Sequence, residues 1–296
     1  MQKPLLLLIT LIISLSISGK LNAQSIDFNW EKDSINGKLI DKIAMSVPFM
    51  IEDKTYRFQF DLGANITLIY HKCFEKTEFI KSKEIDHSSE AAGSKIFTIE
   101  NQNISVGKFK KNNYKLHGLL NFEQEEVCGV VGADLFQNKF LIIDFPNKKA
   151  FVSEKLKNRI AKKVEFVDMK IINNKPIVPI TIDNKVYHFQ YDNGASIFPI
   201  VTYKKNFQDL IETSKIIENF NIKNFNNPLV VKAIETNKEI IIGKSFFNTK
   251  ELWFTDEDYF SFEQHGIDGI IGNVFFLDKT IVIDFKNKKF GILNTE

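Results

Sequence analysis

Hydrophobic and polar residues alternate along most of the chain, and short turn sequences separate the alternating runs. In residues 178–191, "VPITIDNKVYHFQY", apolar side chains recur at every second position on both sides of an Asp-Asn-Lys turn. A period of two is typical of half-buried β-strands. Other runs rich in Ile, Val, Phe and Tyr are separated by similar turns. The pattern therefore predicts a mainly β protein.

Two of these runs predict hairpins, and three segments predict helical turns. The hairpins are "LIIDFPNKKAFV" at 141–152 and "IVIDFKNKKFGIL" at 281–293. Short helices are predicted within 133–139, where Asp134 would help to cap the helix, and within 206–217. The charged segment 153–163 is predicted to be a linker with one helical turn.

The chain also contains an internal repeat. "VPFMIEDKTYRFQFDLGA" from Val47 matches "VPITIDNKVYHFQYDNGA" from Val178, and a later match joins the segments that begin at Gly129 and Gly269. The offsets are 178 − 47 = 131 and 269 − 129 = 140 residues, as insertions in loops would produce. We expect a lobe at 24–160, a related lobe at 161–296, and a cleft between them on a pseudo-two-fold axis.

Asp61 and Asp192 occupy equivalent places in the repeat, each after an apolar strand and before Gly-Ala. If the lobes meet about the axis, these two acids face each other. Two carboxylates about 3 Å apart share one proton, because both cannot ionise comfortably. Such a pair holds a water molecule. Its ionised member takes a proton from the water, and its protonated member polarises a carbonyl group.

The two Asp-x-Gly-Ala turns, together with the later apolar-apolar-Gly runs at 130–132 and 270–272, resemble the bilobal aspartic peptidases. The form of the turns is closer to retropepsin-like bacterial members than to pepsin, and the resemblance covers nearly all of residues 40–296. It implies an all-β, two-lobed pepsin/retropepsin-like fold. It also implies an endopeptidase that uses Asp61 and Asp192 to hydrolyse extended peptides, without a cofactor or a metal.

The resemblance also implies residues that shape the substrate site. They are Gly63, Ala64, Gly194 and Ala195 in the two turns and Gly93 at the tip of a flap hairpin within 87–98. The second half has a matching segment at 224–233.

Two departures from the family pattern affect these expectations. The family places Thr or Ser after each Asp, and its hydroxyl group makes a hydrogen bond between the lobes. Here Leu62 cannot make that bond, whereas Asn193 has a donor and an acceptor and is expected to replace it in part. Ala64 and Ala195 replace a further hydroxyl group, which predicts a higher pKa for the pair and activity at mildly acidic to neutral pH. A non-catalytic peptide-binding protein and a structural envelope component remain alternatives.

The first 23 residues predict export. Lys3, an apolar run at 5–17 and Leu21-Asn22-Ala23 are typical of a cleaved signal peptide, with an uncleaved anchor as the alternative. Removal of Lys3 and Lys20 leaves 39 − 2 = 37 basic against 37 acidic residues, so charge gives no support for a nucleic-acid partner. We expect a periplasmic or secreted monomer, because the duplication already supplies both acids, with no membrane contact beyond the signal peptide.

The remaining candidate residues have simple interpretations. Cys73 and Cys128 are either a disulfide or two buried thiols. Asp144 and Asp284, which match across the repeat, are expected to be turn carboxylates. The five histidines show no spacing typical of a metal site.

Overall fold

The computed structural model describes residues 23–81, 86–91, 94–120, 122, 126–224, 227–256 and 263–293. Residues 1–22 of the predicted signal peptide and Gly93 lie outside these ranges. Most of the described chain is β-strand, as the alternating pattern predicts, and the strands form three sheets, of eight, eight and six strands. The all-β prediction is therefore confirmed.

The first eight-stranded sheet belongs to the N-terminal half. Its strands in spatial order are β2 (Asn29–Ile35), β3 (Lys38–Ile51), β4 (Lys54–Phe60), β9 (Gly129–Val131), β5 (Leu68–Tyr70), β8 (Phe109–Leu119), β7 (Ser94–Val106) and β6 (Asp86–Ala91). The helices of this half are α1 (His71–Phe74), α2 (Glu78–Lys81) and a 3₁₀ turn at Ala133–Phe136. The pairs β4–β9 and β5–β8 are parallel.

The second eight-stranded sheet repeats this arrangement in the C-terminal half. Its strands in spatial order are β13 (Lys170–Ile172), β14 (Lys175–Ile182), β15 (Lys185–Tyr191), β20 (Gly269–Ile271), β16 (Ile200–Tyr203), β19 (Ser245–Thr255), β18 (Asn227–Ile242) and β17 (Ile216–Asn224). The helical segments are 3₁₀ turns at Lys204–Phe207, Glu263–His265 and Val274–Phe276, and α4 (Gln208–Thr213). Strand for strand, the order matches that of the first sheet, so the sequence repeat is also a structural repeat.

The six-stranded sheet joins the two halves. Its strands in spatial order are β1 (Gln24–Asp27), β11 (Lys149–Ser153), β10 (Phe140–Asp144), β21 (Thr280–Asp284), β22 (Lys289–Leu293) and β12 (Val164–Asp168). The pairs β10–β11 and β21–β22 are the two predicted hairpins. At the centre, β10 pairs antiparallel with β21, and Ile142 lies opposite Val282, its own equivalent in the repeat. The pseudo-two-fold axis therefore passes between these two residues.

The closing turns of the hairpins are held by the two matched carboxylates. Asp144 accepts hydrogen bonds from the backbone and side-chain N–H groups of Asn147, at 3.2 and 2.9 Å. Asp284 accepts the same pair from Asn287, at 2.9 and 2.7 Å. Both acids are turn carboxylates, as predicted.

The predicted helical segments are present, and Asp134 has a different role. The linker carries one helical turn, α3 (Asn158–Ala161), and the helix predicted within 206–217 ends at Thr213. The N-cap position is Gly132, which has no side chain, and Asp134 lies within the first turn. It instead accepts hydrogen bonds from the hydroxyl groups of Thr67 and Tyr114. The prediction of a cap at Asp134 was wrong, because a partner distant in sequence competes for the carboxylate.

The core consists of the inward-facing side chains of the sheets, and phenylalanine fills much of it. Phe49, Phe58 and Phe189 are fully buried, and the first two rings stack with their centroids 4.0 Å apart. Cys73 and Cys128 form a disulfide, which resolves the alternatives in the sequence. Within the described ranges, every helix is too short or too polar to traverse a bilayer.

Candidate active site

Each of the two predicted acids lies at the end of a strand, in the same local arrangement. Asp61 follows β4, and its backbone N–H donates to the carbonyl oxygen of Val131 at 3.0 Å. Asp192 follows β15, and its N–H donates to the carbonyl oxygen of Ile271 at 3.0 Å. These bonds hold each acid against the apolar-apolar-Gly strand of its own lobe, as the repeat predicted.

The structure brings the two carboxyl groups together. The Asp61 side chain is hydrogen-bonded to that of Asp192. The two turn glycines make this approach possible, because a Cβ atom at Gly63 would overlap the Asp192 carboxyl group and one at Gly194 would overlap that of Asp61. Each turn therefore leaves room for the acid of the opposite lobe, which is the close approach that a glycine permits.

Backbone donors in each turn orient its own acid. The N–H of Gly63 donates to Asp61 Oδ1 at 2.8 Å, and the N–H of Gly194 donates to Asp192 Oδ1 at 2.9 Å. The N–H of Ala195 adds a second bond to the same Asp192 oxygen at 3.1 Å. Gly63, Gly194 and Ala195 therefore orient the two carboxyl groups through their backbone N–H groups.

Burial is the main electrostatic feature of the pair. The Asp61 carboxyl group opens onto the cleft and is otherwise enclosed, and this desolvation raises its pKa well above the usual range. The charge of Asp192 and the hydrogen bond between the two groups raise the pKa of Asp61 further, against the opposing effect of the Gly63 and Ala64 N–H groups. Both effects favour the neutral form of the Asp61 carboxyl group.

A single side chain, Asn193, joins the two turns across the lobes. Its Oδ1 atom accepts a hydrogen bond from the N–H of Leu62 at 2.5 Å, and its Nδ2 atom donates to the carbonyl oxygen of Phe60 at 2.9 Å. Leu62 is fully buried in the main apolar core, and Asn193 is fully buried as well. Where the resemblance implied a hydroxyl group from each lobe, one amide group makes both bonds.

A second buried asparagine supports the first, and the sequence analysis did not identify it. The Nδ2 atom of Asn273 donates to the carbonyl oxygen of Asn193 at 3.2 Å and to Ser196 Oγ at 2.8 Å. The hydroxyl group of Tyr191 donates to Asn273 Oδ1 at 2.8 Å. A signal was present in the repeat: the equivalents of Tyr191 and Asn273 in the first half are Phe60 and Ala133, so both partners of this bond differ between the halves.

The two acids lie in a cavity of about 610 Å³ between the lobes. Tyr70, Phe122 and Val130 line it on the N-terminal side. On the C-terminal side the lining is mainly aliphatic and consists of Ala195, Ile197, Phe198, Val201, Ile222, Leu229, Val231 and Ile270. Of the predicted substrate-site residues, Gly194 and Ala195 border the cavity. Gly63 faces Asp192, and Ala64 packs against the cluster that contains Tyr70 and Phe122.

The predicted flap segment and its counterpart in the second half are both hairpins. The predicted flap segment is an antiparallel hairpin of β6 and β7, in which Asp86 pairs with Thr98, and Gly93 lies outside the described residues. Its counterpart in the second half is the hairpin of β17 and β18, and Asn221 and Leu229 from this hairpin line the cavity.

Two further titratable side chains near the acids were also missed. Tyr70 is buried against Phe122, with ring centroids 4.4 Å apart, and burial together with the charge of Asp61 raises its pKa. Lys175 is half-buried, and desolvation lowers its pKa although the charges of Asp192 and Asp61 act in the opposite direction. No sequence motif marks either residue, because both reach the acids through the packing of separate strands.

The described part of the chain contains no group of three or more His, Cys, Asp or Glu side chains arranged to hold a metal ion.

No protein-family model matches the sequence, and no curated protein matches it. Among solved structures, the chain is similar to the aspartic proteinase from Irpex lacteus, with 12% sequence identity and a TM-score of 0.57. The similarity covers 93% of this chain and 98% of that one. At 12% identity this similarity shows a shared fold, and it extends over both lobes of the chain. The chain therefore has the two-lobed fold of the pepsin-like aspartic proteinases.

Proposed function

We propose that the protein is an aspartic-type endopeptidase. One observation carries the proposal: Asp61 and Asp192, from equivalent turns of two repeated lobes, meet in hydrogen-bonding contact in a cleft of about 610 Å³. Asp144 and Asp284 also match across the repeat, but their hydrogen bonds are to the asparagines of their own turns, Asn147 and Asn287. The aspartic proteinase fold of the chain supports the same chemistry.

The arrangement supports hydrolysis through an activated water molecule. The carboxyl group of the pair that keeps its proton donates a hydrogen bond to the carbonyl oxygen of the scissile peptide bond. The other carboxyl group takes a proton from a water molecule held between the two acids, and the resulting hydroxide attacks the carbonyl carbon. The tetrahedral intermediate collapses when a proton from the pair reaches the leaving nitrogen. The C–N bond then breaks, and the acids regain their starting state.

The cleft suits an extended peptide. The β17–β18 hairpin lines the cleft through Asn221 and Leu229, and an extended substrate forms backbone hydrogen bonds to strands at such a border. The aliphatic wall around Phe198 and Ile270 favours an apolar side chain of the substrate on the C-terminal side.

Asn193 is the positioning residue for this reaction. Its amide group ties the Leu62 N–H and the Phe60 carbonyl group of one lobe to the turn of the other. Both of these backbone groups flank Asp61 in the chain. The bonds between the lobes therefore support a fixed separation of the acids, although the hydroxyl residues of the family pattern are missing.

Export remains part of the proposal. The signal sequence at 1–23 and the Cys73–Cys128 disulfide support an oxidising compartment, either the periplasm or the exterior. We propose a monomer that belongs to the bacterial, retropepsin-like exported members, because both acids come from one chain.

The test compares the purified protein with its Asp61→Asn variant on a diverse peptide mixture from about pH 1.5 to pH 8. We expect the wild type to cleave peptides, the variant to lose cleavage, and activity to peak at mildly acidic to neutral pH. A maximum near about pH 2 contradicts the electrostatic reasoning. Equal peptide binding by both proteins without cleavage favours the non-catalytic binding protein. No peptide affinity in either protein favours a structural role.

A further inference from the structure

The hairpin of β2 and β3 is much longer than its counterpart in the second lobe. Strand β3 has 14 residues, whereas the equivalent β14 has 8. We call the tip of this hairpin, residues 33–40, the arm. The counterpart turn, which contains Asn174, reaches the opposite lobe beside the Asp61 turn, where its side chain donates to the carbonyl oxygen of Asn65 at 2.9 Å. The additional length of β2 and β3 carries the arm to a different place.

The arm reaches the β17–β18 hairpin of the second lobe. Asn36 Nδ2 donates to the carbonyl oxygen of Asn219 at 2.6 Å, and Lys38 Nζ lies 3.3 Å from Glu218 Oε2. Ile35 of the arm is only 9% exposed, and it packs into the apolar cluster of the second lobe. This buried side chain anchors the arm more strongly than exposed polar contacts alone.

The junction of arm and hairpin borders the cavity that holds the two acids. Arm residues 33–36 line this cavity, and so do Asn221 and Ile222 of the hairpin. The wall is therefore continuous from one lobe to the other at this side of the cleft. A peptide chain that lies across the two acids meets this wall.

The wall carries a negative charge. Among the described residues that line the cavity, Asp33 is the one carboxylate outside the pair formed by Asp61 and Asp192. The Asp33 side chain is exposed, and its Oδ1 atom accepts the N–H of Ser34 at 2.7 Å, which leaves Oδ2 for a further partner. A carboxylate binds an ammonium group in a charge-assisted hydrogen bond. The cation that a peptide offers whatever its sequence is its α-ammonium group.

We infer that the arm closes one end of the cleft and that Asp33 binds the free amino terminus of the substrate. The substrates would then be short peptides in which a non-terminal bond near the amino end is cleaved, so the proposed endopeptidase is restricted to oligopeptides and does not accept internal segments of long chains. This inference deepens the proposed peptidase function and rests on it. Asp33 is a specificity-determining residue here, and the reaction itself stays with the two acids.

The test uses peptides about six residues long, in pairs that differ only in a free or acetylated amino terminus. We expect the wild type to prefer the free form about three- to fivefold in kcat/KM, which is the range of an exposed ion pair. In Asp33→Asn the preference falls to about onefold. Asp41→Asn, which removes a carboxylate from the same hairpin outside the cavity lining, keeps the preference.

A second variant tests the wall. Replacement of residues 33–40 by Asn-Gly shortens the hairpin toward the length of its counterpart. We expect this variant to gain cleavage at internal positions of long unfolded polypeptides. If the wild type cuts long chains internally, or if Asp33→Asn keeps the preference for the free terminus, the inference is overturned.

Binding separates this inference from the proposed reaction. Peptides labelled at their carboxyl end are titrated against the Asp61→Asn protein, with and without Asp33→Asn, by fluorescence anisotropy. Tighter binding of the free form that depends on Asp33 supports the inference even if no hydrolysis is found. Equal binding of free and acetylated peptides, or no binding of either, overturns it.

Discussion

Removal of the Asn193 amide group tests the bracing of the two acids most directly. In Asn193→Ala, the Leu62 N–H and the Phe60 carbonyl group each lose a partner in a fully buried setting. Each buried group left without a partner costs about 1–3 kcal/mol, so we expect the free energy of unfolding to fall by about 2–5 kcal/mol. Because the lost bonds join the lobes beside Asp61, kcat/KM should fall about ten- to hundredfold.

The control for this prediction is Ser196→Ala. The Ser196 hydroxyl group donates to the Asn193 carbonyl oxygen at 2.6 Å and accepts from Asn273 Nδ2 at 2.8 Å, and all of these contacts lie within the second lobe. We expect a loss of about 1 kcal/mol and little change in kcat/KM. Asn193→Thr retains an acceptor for the Leu62 N–H. Its free energy of unfolding and its kcat/KM should therefore lie between those of Asn193→Ala and Ser196→Ala.

Urea denaturation measures the stability of these variants, and cleavage of a fluorogenic peptide measures kcat/KM. The reasoning fails if Asn193→Ala unfolds within about 0.5 kcal/mol of the wild type and also retains its activity. It fails equally if Ser196→Ala reduces kcat/KM as much as Asn193→Ala does, because the bonds between the lobes would then have no special part in placing the acids.

Three further predictions concern the turn, the pH dependence and the disulfide. Gly194→Ala places a Cβ atom against the Asp61 carboxyl group, so kcat/KM should fall about hundredfold, and unchanged activity would disprove the close approach. The raised pKa of Asp61 stabilises the fold below the unfolded-state pKa, and this contribution is lost as pH rises through the folded-state pKa. The urea midpoint of Asp61→Asn should therefore exceed that of the wild type at about pH 7. The difference between the two midpoints should become smaller toward about pH 3.5, and an equal difference at both pH values argues against a raised pKa for Asp61. Cys73→Ser/Cys128→Ser opens a loop with a sequence separation of 55 residues, which should lower the free energy of unfolding by about 4 kcal/mol, and urea curves of the oxidised and variant proteins at equal pH check this value.

The repeat made the general architecture predictable from the sequence. A period of two identified the strands, and matched turns identified two equivalent acids. Since repeated chains fold alike, symmetry alone predicted that Asp61 and Asp192 would face each other, and the hydrogen bond between them agrees. The hairpins at 141–152 and 281–293 were also visible, because each is a local pattern with its own turn.

Features that depend on differences between the halves were harder to predict. Asn193 was identified as a partial substitute, but its two simultaneous bonds to the other lobe depend on the positions of the Leu62 and Phe60 backbone. Asn273 supports it from the start of the 3₁₀ turn at Val274–Phe276, 80 residues away in the chain. Asp134 was misread because local capping was the only partner that neighbouring residues suggested, whereas Thr67 lies 67 residues away.

The sequence by itself determined the strands, the duplication and the pairing of the two acids, because these follow from local periodicity and from symmetry. Only the tertiary structure decided which side chains surround the acids. The hydrogen bonds of Asn193, the electrostatic effect of the acids on Tyr70 and Lys175, and the reach of the arm to Asn219 arise where segments distant in sequence pack. Such contacts break the symmetry of the repeat, and no pattern within a single segment encodes them.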